Sequence, residues 1–285
     1  MSTSTFSTPG PITTTVSTAG ARVRLVAGDR SDTVVQVEPV DSTSEFDVSV
    51  AENTTVTLSG NALSIKTTKS GDRGGSVAIT VELPAESRLV LQATWTNVRS
   101  DGPLGDCELN VSSGGGIQLD RVGALRVNLA AGDVTVGHVA GTADIQTRSA
   151  TGVRLGEVGG TVRYMGTTGE LWVGHARSDV DVSSAGGSIE VDRAEGSVTA
   201  EADRCPIRVG WMARGRAELV NGSGGIEVGI SEGVAVSVDA KSTKGEVRDS
   251  VSQDGSAATG ERVQVHARTR LDDIVIHRVS HRASA

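Results

Sequence analysis

The stretch that decides the fold is residues 177–194, RSDVDVSSAGGSIEVDRA. Val180 and Val182 alternate with polar residues, residues 183–188 carry Gly186 and Gly187, and Ile189 and Val191 then alternate again. Period-two alternation marks a half-buried strand, so the stretch reads strand, turn, strand. Ala194 follows three residues after Val191 and marks a bend, where alternation gives way to a corner.

The same grammar extends in both directions. Apolar pairs stand at Ile117/Leu119, Val134/Val136, Val153/Leu155, Leu171/Val173, Ile189/Val191, Ile207/Val209 and Ile226/Val228, with a degenerate copy beginning at Val247. Their starts are 17, 19, 18, 18, 18, 19 and 21 residues apart. A period this short implies stacked supersecondary units, each burying its apolar face against the next. The position two before each pair reads Gly115, Gly132, Thr151, Gly169, Gly187, Cys205, Gly224 and Gly245. A glycine recurring at one place is expected where identical corners stack and the backbone needs positive φ or close approach. Stacked corners imply parallel strands. The predicted fold is therefore all-β: a single-stranded parallel β-solenoid (a β-helix, right-handed by the usual crossover rule) with rungs of ~18 residues.

Three regions follow from where the register holds. Residues 86–251 carry the solenoid repeats, beginning with a transitional rung that includes Leu89, Leu91 and Val98. Residues 1–85 form an irregular all-β cap, with strand-like runs at 22–26, 33–37, 55–58, 62–66 and 76–82 and a loop at 70–75. Residues 252–285 form a C-terminal cap: a polar loop at 252–260, strands at 262–267 and 273–279, and a frayed tail from 280. Asp249 falls in the column of Val228, which is where the core stripe breaks.

Composition bounds the function. The chain has 285 residues, of which 36 are Gly, and aromatics make up 2%, which suits a thin core reached by many tight turns. The net charge of −8 opposes a general nucleic-acid surface. Arg204, Arg208, Arg214 and Arg216 are interleaved with Glu201, Asp203 and Glu218 and read as a mixed solvated face. The start lacks a charged and apolar leader, and no stretch approaches the ~20 apolar residues that span a bilayer, so a cytoplasmic location without membrane insertion is expected. Cys107 and Cys205 lie five repeats apart, too far for a disulfide in a stacked fold.

The chain resembles a bacterial, actinobacterial family of β-strand-repeat proteins labelled "putative adhesin", a domain of unknown function. The resemblance rests on FSTPGPI at 6–12, GDRSDTVVQVEP at 28–39, SVAITVELPAESRL at 76–89, the Gly-x-Ile/Val-x-Val units, and VQVHARTRLDDIVIHR at 263–278. It implies a β-solenoid, in an intracellular member, and it carries no catalytic residues to transfer.

Outward residues before each corner read Arg121, His138, Glu157, His175, Arg193 and Trp211. His138, Glu157 and His175 could converge on a metal, but an alternating polar ladder accounts for them without one. No phosphate loop, nucleophile elbow, zinc-protease motif or calcium-roll repeat occurs, so no catalytic, cofactor-binding or metal residue is assigned. Trp172 and Trp211 take outward parity about two rungs apart and form the candidate interaction patch, whereas Met212 faces the core. The expectation is a non-enzymatic scaffold or protein-interaction module that engages a protein partner or a second copy, with neither nucleic acid nor a small molecule as ligand. The alternatives are an exported adhesin or cell-envelope stress protein of the same fold, and a polysaccharide-active enzyme with carboxylates and Arg clustered in one groove.

Overall fold

The computed structural model describes residues 2–67, 76–149, 151–251 and 262–280. The expected loops at 70–75 and 252–260, and the tail beyond Ser280, lie outside the described residues. The chain divides into two compact units, Met1–Gly141 and Thr142–Ala285.

The first unit opens with β1 (Ser2–Ser7), β2 (Thr13–Ala19), β3 (Ala21–Gly28) and β4 (Asp32–Pro39). A short helix α1 (Glu45–Glu52) leads to β5 (Thr55–Ser59), β6 (Ala62–Lys66) and β7 (Val77–Pro84). β8 (Arg88–Thr94), β9 (Asn97–Asp101), β10 (Cys107–Ser113), β11 (Gly116–Val122), β12 (Leu125–Leu129) and β13 (Gly132–Val139) complete it. Helix α1 is capped by Ser44, whose hydroxyl accepts from the Asp47 N–H, and Asp47 in turn accepts from the backbone of Asp41 and Ser76.

Two series of strands run through this unit. In one, β6, β2, β8, β10 and β12 pair in that order, all parallel. In the other, β7, β3, β9, β11 and β13 do the same. Alternation puts every second residue inside, so Ile65, Val16, Leu91, Leu109 and Val127 form one buried column. Ile79, Val23, Val98, Ile117 and Val134 form a second one. Each such side chain stabilises the fold by about 1.5–3 kcal/mol.

The edges overturn the expected fold class. β1 pairs antiparallel with β4, β4 pairs antiparallel with β7, and β5 pairs antiparallel with β6. The reason is local in the last case. Ser59 and Ala62 face each other across Gly60 and Asn61, with Gly60 at φ 57, and a two-residue turn can join only antiparallel strands. The sheet is mixed, and each 18-residue repeat supplies two strands, one to each series, with strand i pairing strand i+2. A single-stranded parallel β-solenoid or β-helix is not what forms, and the right-handed coil inferred for it falls with it.

The second unit contains β14 (Ala143–Thr147), β15 (Thr151–Val158), β16 (Val162–Ala176), β17 (Val180–Ala194), β18 (Val198–Arg204) and β19 (Ile207–Met212). It continues with β20 (Gly215–Ser223), β21 (Ile226–Ser231), β22 (Ala235–Ser242), β23 (Val247–Asp249), β24 (Arg262–Thr269) and β25 (Ile274–Val279). β16 and β17 are 15 residues each and pass through the glycine corner unbroken, so each belongs to both series. Met212 is fully buried, in the column of Ala194.

The C-terminal order departs from the expected cap. β24 pairs with both β20 and β22, and β25 pairs with both β21 and β23. The last strands of the chain are therefore interior, and β22 and β23 lie outside them. Asp249 does stand in the Val228 column, but with Ile276 interposed.

Candidate functional site

In the first unit, the outward residues of β7, β3, β9 and β11 line a groove of about 420 Å³. Pairing register builds it from two rows. Ala78, Arg22 and Asn97 share one row, and Thr80, Arg24, Arg99 and Gln118 share the next. Gly116 extends the first row, its N–H donating to Asn97 Oδ1 at 2.9 Å. Ala78 and Gly116 leave room where larger side chains would fill the depression.

The groove is cationic. Arg24 and Arg99 are direct cross-strand partners, a like-charge pairing that ordinarily costs stability. Asp101 bridges them, 3.0 Å from Arg24 Nη2 and 3.4 Å from Arg99 Nε. The hydrogen bond from Arg24 holds the Asp101 carboxyl below the usual carboxylate range. Arg22 is exposed and makes no salt bridge among the described residues. Three guanidiniums therefore line the groove, with Asp101 between two of them and Glu38 and Asp133 beyond Ala78 and Gly116 at the ends of the first row, on a chain whose net charge is −8.

Trp95 leads into this groove along the chain, two residues before Asn97. It is 67% exposed, and its backbone is left-handed at φ 52. Its ring lies on Gly114, where a Cβ would overlap the six-membered ring. Bulky residues rarely adopt that backbone region, and such strain costs of order 1–3 kcal/mol.

The residues singled out from sequence lie in other places. Trp172 is half-buried, near Asp192, whose carboxyl is pushed up by burial and by Glu190. With Arg154, Glu170, Ser188 and Glu190 it borders a smaller pocket of about 240 Å³. Trp211 is also half-buried, with the Arg193 guanidinium 4.2 Å from its ring centroid. Glu157 pairs with Arg177 at 2.5 Å, and His175 Nε2 lies 2.9 Å from Glu195. Burial raises the Glu195 carboxyl, but His175 and Arg193 outweigh it and leave it below its ordinary value. No group of three His, Cys, Asp or Glu able to hold a metal occurs among the described residues. Arg208 is surrounded by Glu190, Asp192 and Glu227, and Arg204 and Arg216 lie beside Asp203 and Glu218. No described helix is long and apolar enough to cross a membrane.

Sequence reasoning missed Arg22, Arg24, Arg99 and Trp95. Alternation in Ala-Arg-Val-Arg-Leu (21–25) does put two arginines on one outward face, but Arg99 joins them only through a pairing about 75 residues distant.

No family model matches the chain, and no curated protein matches its sequence. The solved structures it resembles are bacterial. One is named a putative adhesin from Parabacteroides merdae, 8% identical, covering 98% of this chain and 95% of that one at a TM-score of 0.38. Another is a putative adhesin from Bacteroides fragilis, 12% identical, covering 97% and 96% at 0.33. A third is named a putative lipid binding protein, from Parabacteroides distasonis, 11% identical, covering 98% and 96% at 0.36. These likenesses are low, and the functional reading rests on the groove instead.

Proposed function

We propose that the protein is a non-enzymatic binding module whose partner docks on the Arg22–Arg24–Arg99 face. The observation that carries this reading is a built cationic groove on an acidic chain, with Arg24 and Arg99 held side by side across Asp101. The non-enzymatic part is supported by the state of the candidate nucleophiles. Burial pushes the Cys107 thiol up to about 12 and the Cys205 thiol up to about 11, and it raises the Tyr164 phenol. These shifts oppose activation, which requires a lowered pKa.

The test compares the parent chain with Arg22→Glu/Arg99→Glu as baits in the native lysate. Loss of the co-purifying material from the variant supports the reading; identical profiles for both baits refute it. A cytoplasmic location and membership of the actinobacterial adhesin-like family belong to the same proposal, the second supported by the motifs at 28–39 and 263–278. Cell fractionation distinguishes the cytoplasmic module from an exported adhesin.

A further inference from the structure

Resting on the binding-module reading, we propose that the groove binds a carboxylated polysaccharide. Trp95 stacks on one sugar ring, and Arg22 and Arg99 receive the carboxylate of the next.

Four observations converge on that chemistry. Trp95 offers an aromatic surface with one face set against Gly114 and most of its area open, so little side-chain freedom is lost on stacking. Its left-handed backbone keeps a bulky residue where glycine would relax, which is strain of the kind retained at ligand sites. Trp95 and Asn97 are two residues apart in the chain, and so are Gly114 beneath the ring and Gly116, so the platform and its support both lead through one corner into the first row of the groove. The groove itself supplies guanidiniums that match a carboxylate's planar geometry, and Asn97, Gln118 and Thr80 offer hydrogen bonds to hydroxyls.

Magnitude and charge select among anions. The 420 Å³ volume lies in the range of small-ligand and single-segment sites. Three lining guanidiniums, two of them already shared with Asp101, on a chain of net −8 suit one carboxylate per sugar ring better than the closely spaced phosphates of nucleic acid.

The experiment is calorimetric titration of the full chain with oligogalacturonate, with neutral dextran and with inorganic sulfate, at low and moderate salt. The parent is expected to bind oligogalacturonate in a salt-sensitive manner and to ignore dextran. Arg22→Gln/Arg99→Gln is expected to lose at least about tenfold in affinity, the effect of removing charge-assisted hydrogen bonds. Arg163→Gln/Arg216→Gln, on two strands of the second unit, removes the same two charges elsewhere and should bind like the parent. Trp95→Gly separates function from folding: it relieves the left-handed strain, so its melting temperature should equal or exceed the parent's while its affinity falls.

Absence of oligogalacturonate binding overturns the proposal, as does binding that survives the double Arg variant. Sulfate binding as tight as the oligosaccharide reduces the site to a bare anion site and overturns the ligand class. A Trp95→Gly chain that binds normally but melts lower shows that the ring is structural, which also overturns it. An acidic protein that binds the parent and not the double variant, while oligogalacturonate fails, removes the polysaccharide and leaves the binding-module reading standing.

Discussion

Alanine at Gly187, compared with alanine at its neighbour Gly186, isolates what the corner requires. Gly187 has φ 104, and a Cβ there would overlap the carbonyl oxygen of Gly169 on the adjacent pass of the chain. A left-handed non-glycine costs about 1–3 kcal/mol. Relieving the overlap pushes β17 away from β16 at the corner, and one weakened ladder bond adds about 1 kcal/mol. The expected loss is about 3 kcal/mol, or roughly 10 °C in melting temperature for a unit of this size. At Gly186 the nearest atom to a Cβ is Thr168 Cγ2 at 3.5 Å, an ordinary contact, and the backbone is not left-handed. There the smaller freedom of the unfolded chain offsets any crowding by about 0.4–1 kcal/mol. Thermal unfolding followed by far-UV circular dichroism reads both variants. A Gly187→Ala chain melting within about 2 °C of the parent, or a Gly186→Ala chain losing as much as Gly187→Ala, refutes the reasoning.

Three further outcomes are expected. Cys107 and Cys205, both free and buried with their thiols pushed up by desolvation, should resist a disulfide reagent at pH 8 until the chain unfolds; prompt labelling of the native protein contradicts this. Asp101 has a depressed folded-state pKa, so its contribution is present above the unfolded carboxylate range and is lost as pH falls through the folded value. Asp101→Asn should therefore be slightly less stable than the parent near pH 7, within the ~0–1 kcal/mol of exposed pairs, and the gap should close in acid; a gap that widens in acid reverses the sign. Ending the chain after Val251 removes β24 and β25 and strands β22 and β23, so denaturant unfolding of that variant should lose its sharp cooperative transition; retention of the parent's midpoint shows that the last strands are dispensable.

Much of the local structure was legible in the residues. Alternation at Val180/Val182 and Ile189/Val191 predicts the inward faces that the structure buries. The glycine column is real in its chemistry: Gly115 at φ 94 and Gly132 at φ 117 both sit where a Cβ would strike the carbonyl of the neighbouring pass. Pairing was less legible, because alternation states which face a residue takes and not which strand lies beside it. The turn at Gly60 and Asn61 did signal a hairpin, and weighing it against the repeats would have flagged antiparallel edges. The period also suggested that strands stack in sequence order. At both chain ends they do not, since β2 lies between β6 and β8, and β24 lies between β20 and β22. The groove depended on that unread order, because β3 brings Arg22 and Arg24 beside β9 only once β2 and β3 have slotted in.

The interior position of β24 and β25 sets a timetable for synthesis. When β22 and β23 leave the ribosome, the strands they will pair with have not yet been made. Until β24 and β25 emerge, β20 and β21 present open edges, and β22 has the wrong neighbour within reach. The second unit can therefore close only after β24 and β25 have been made, so its assembly waits on strands that follow, in the chain, the ones they separate.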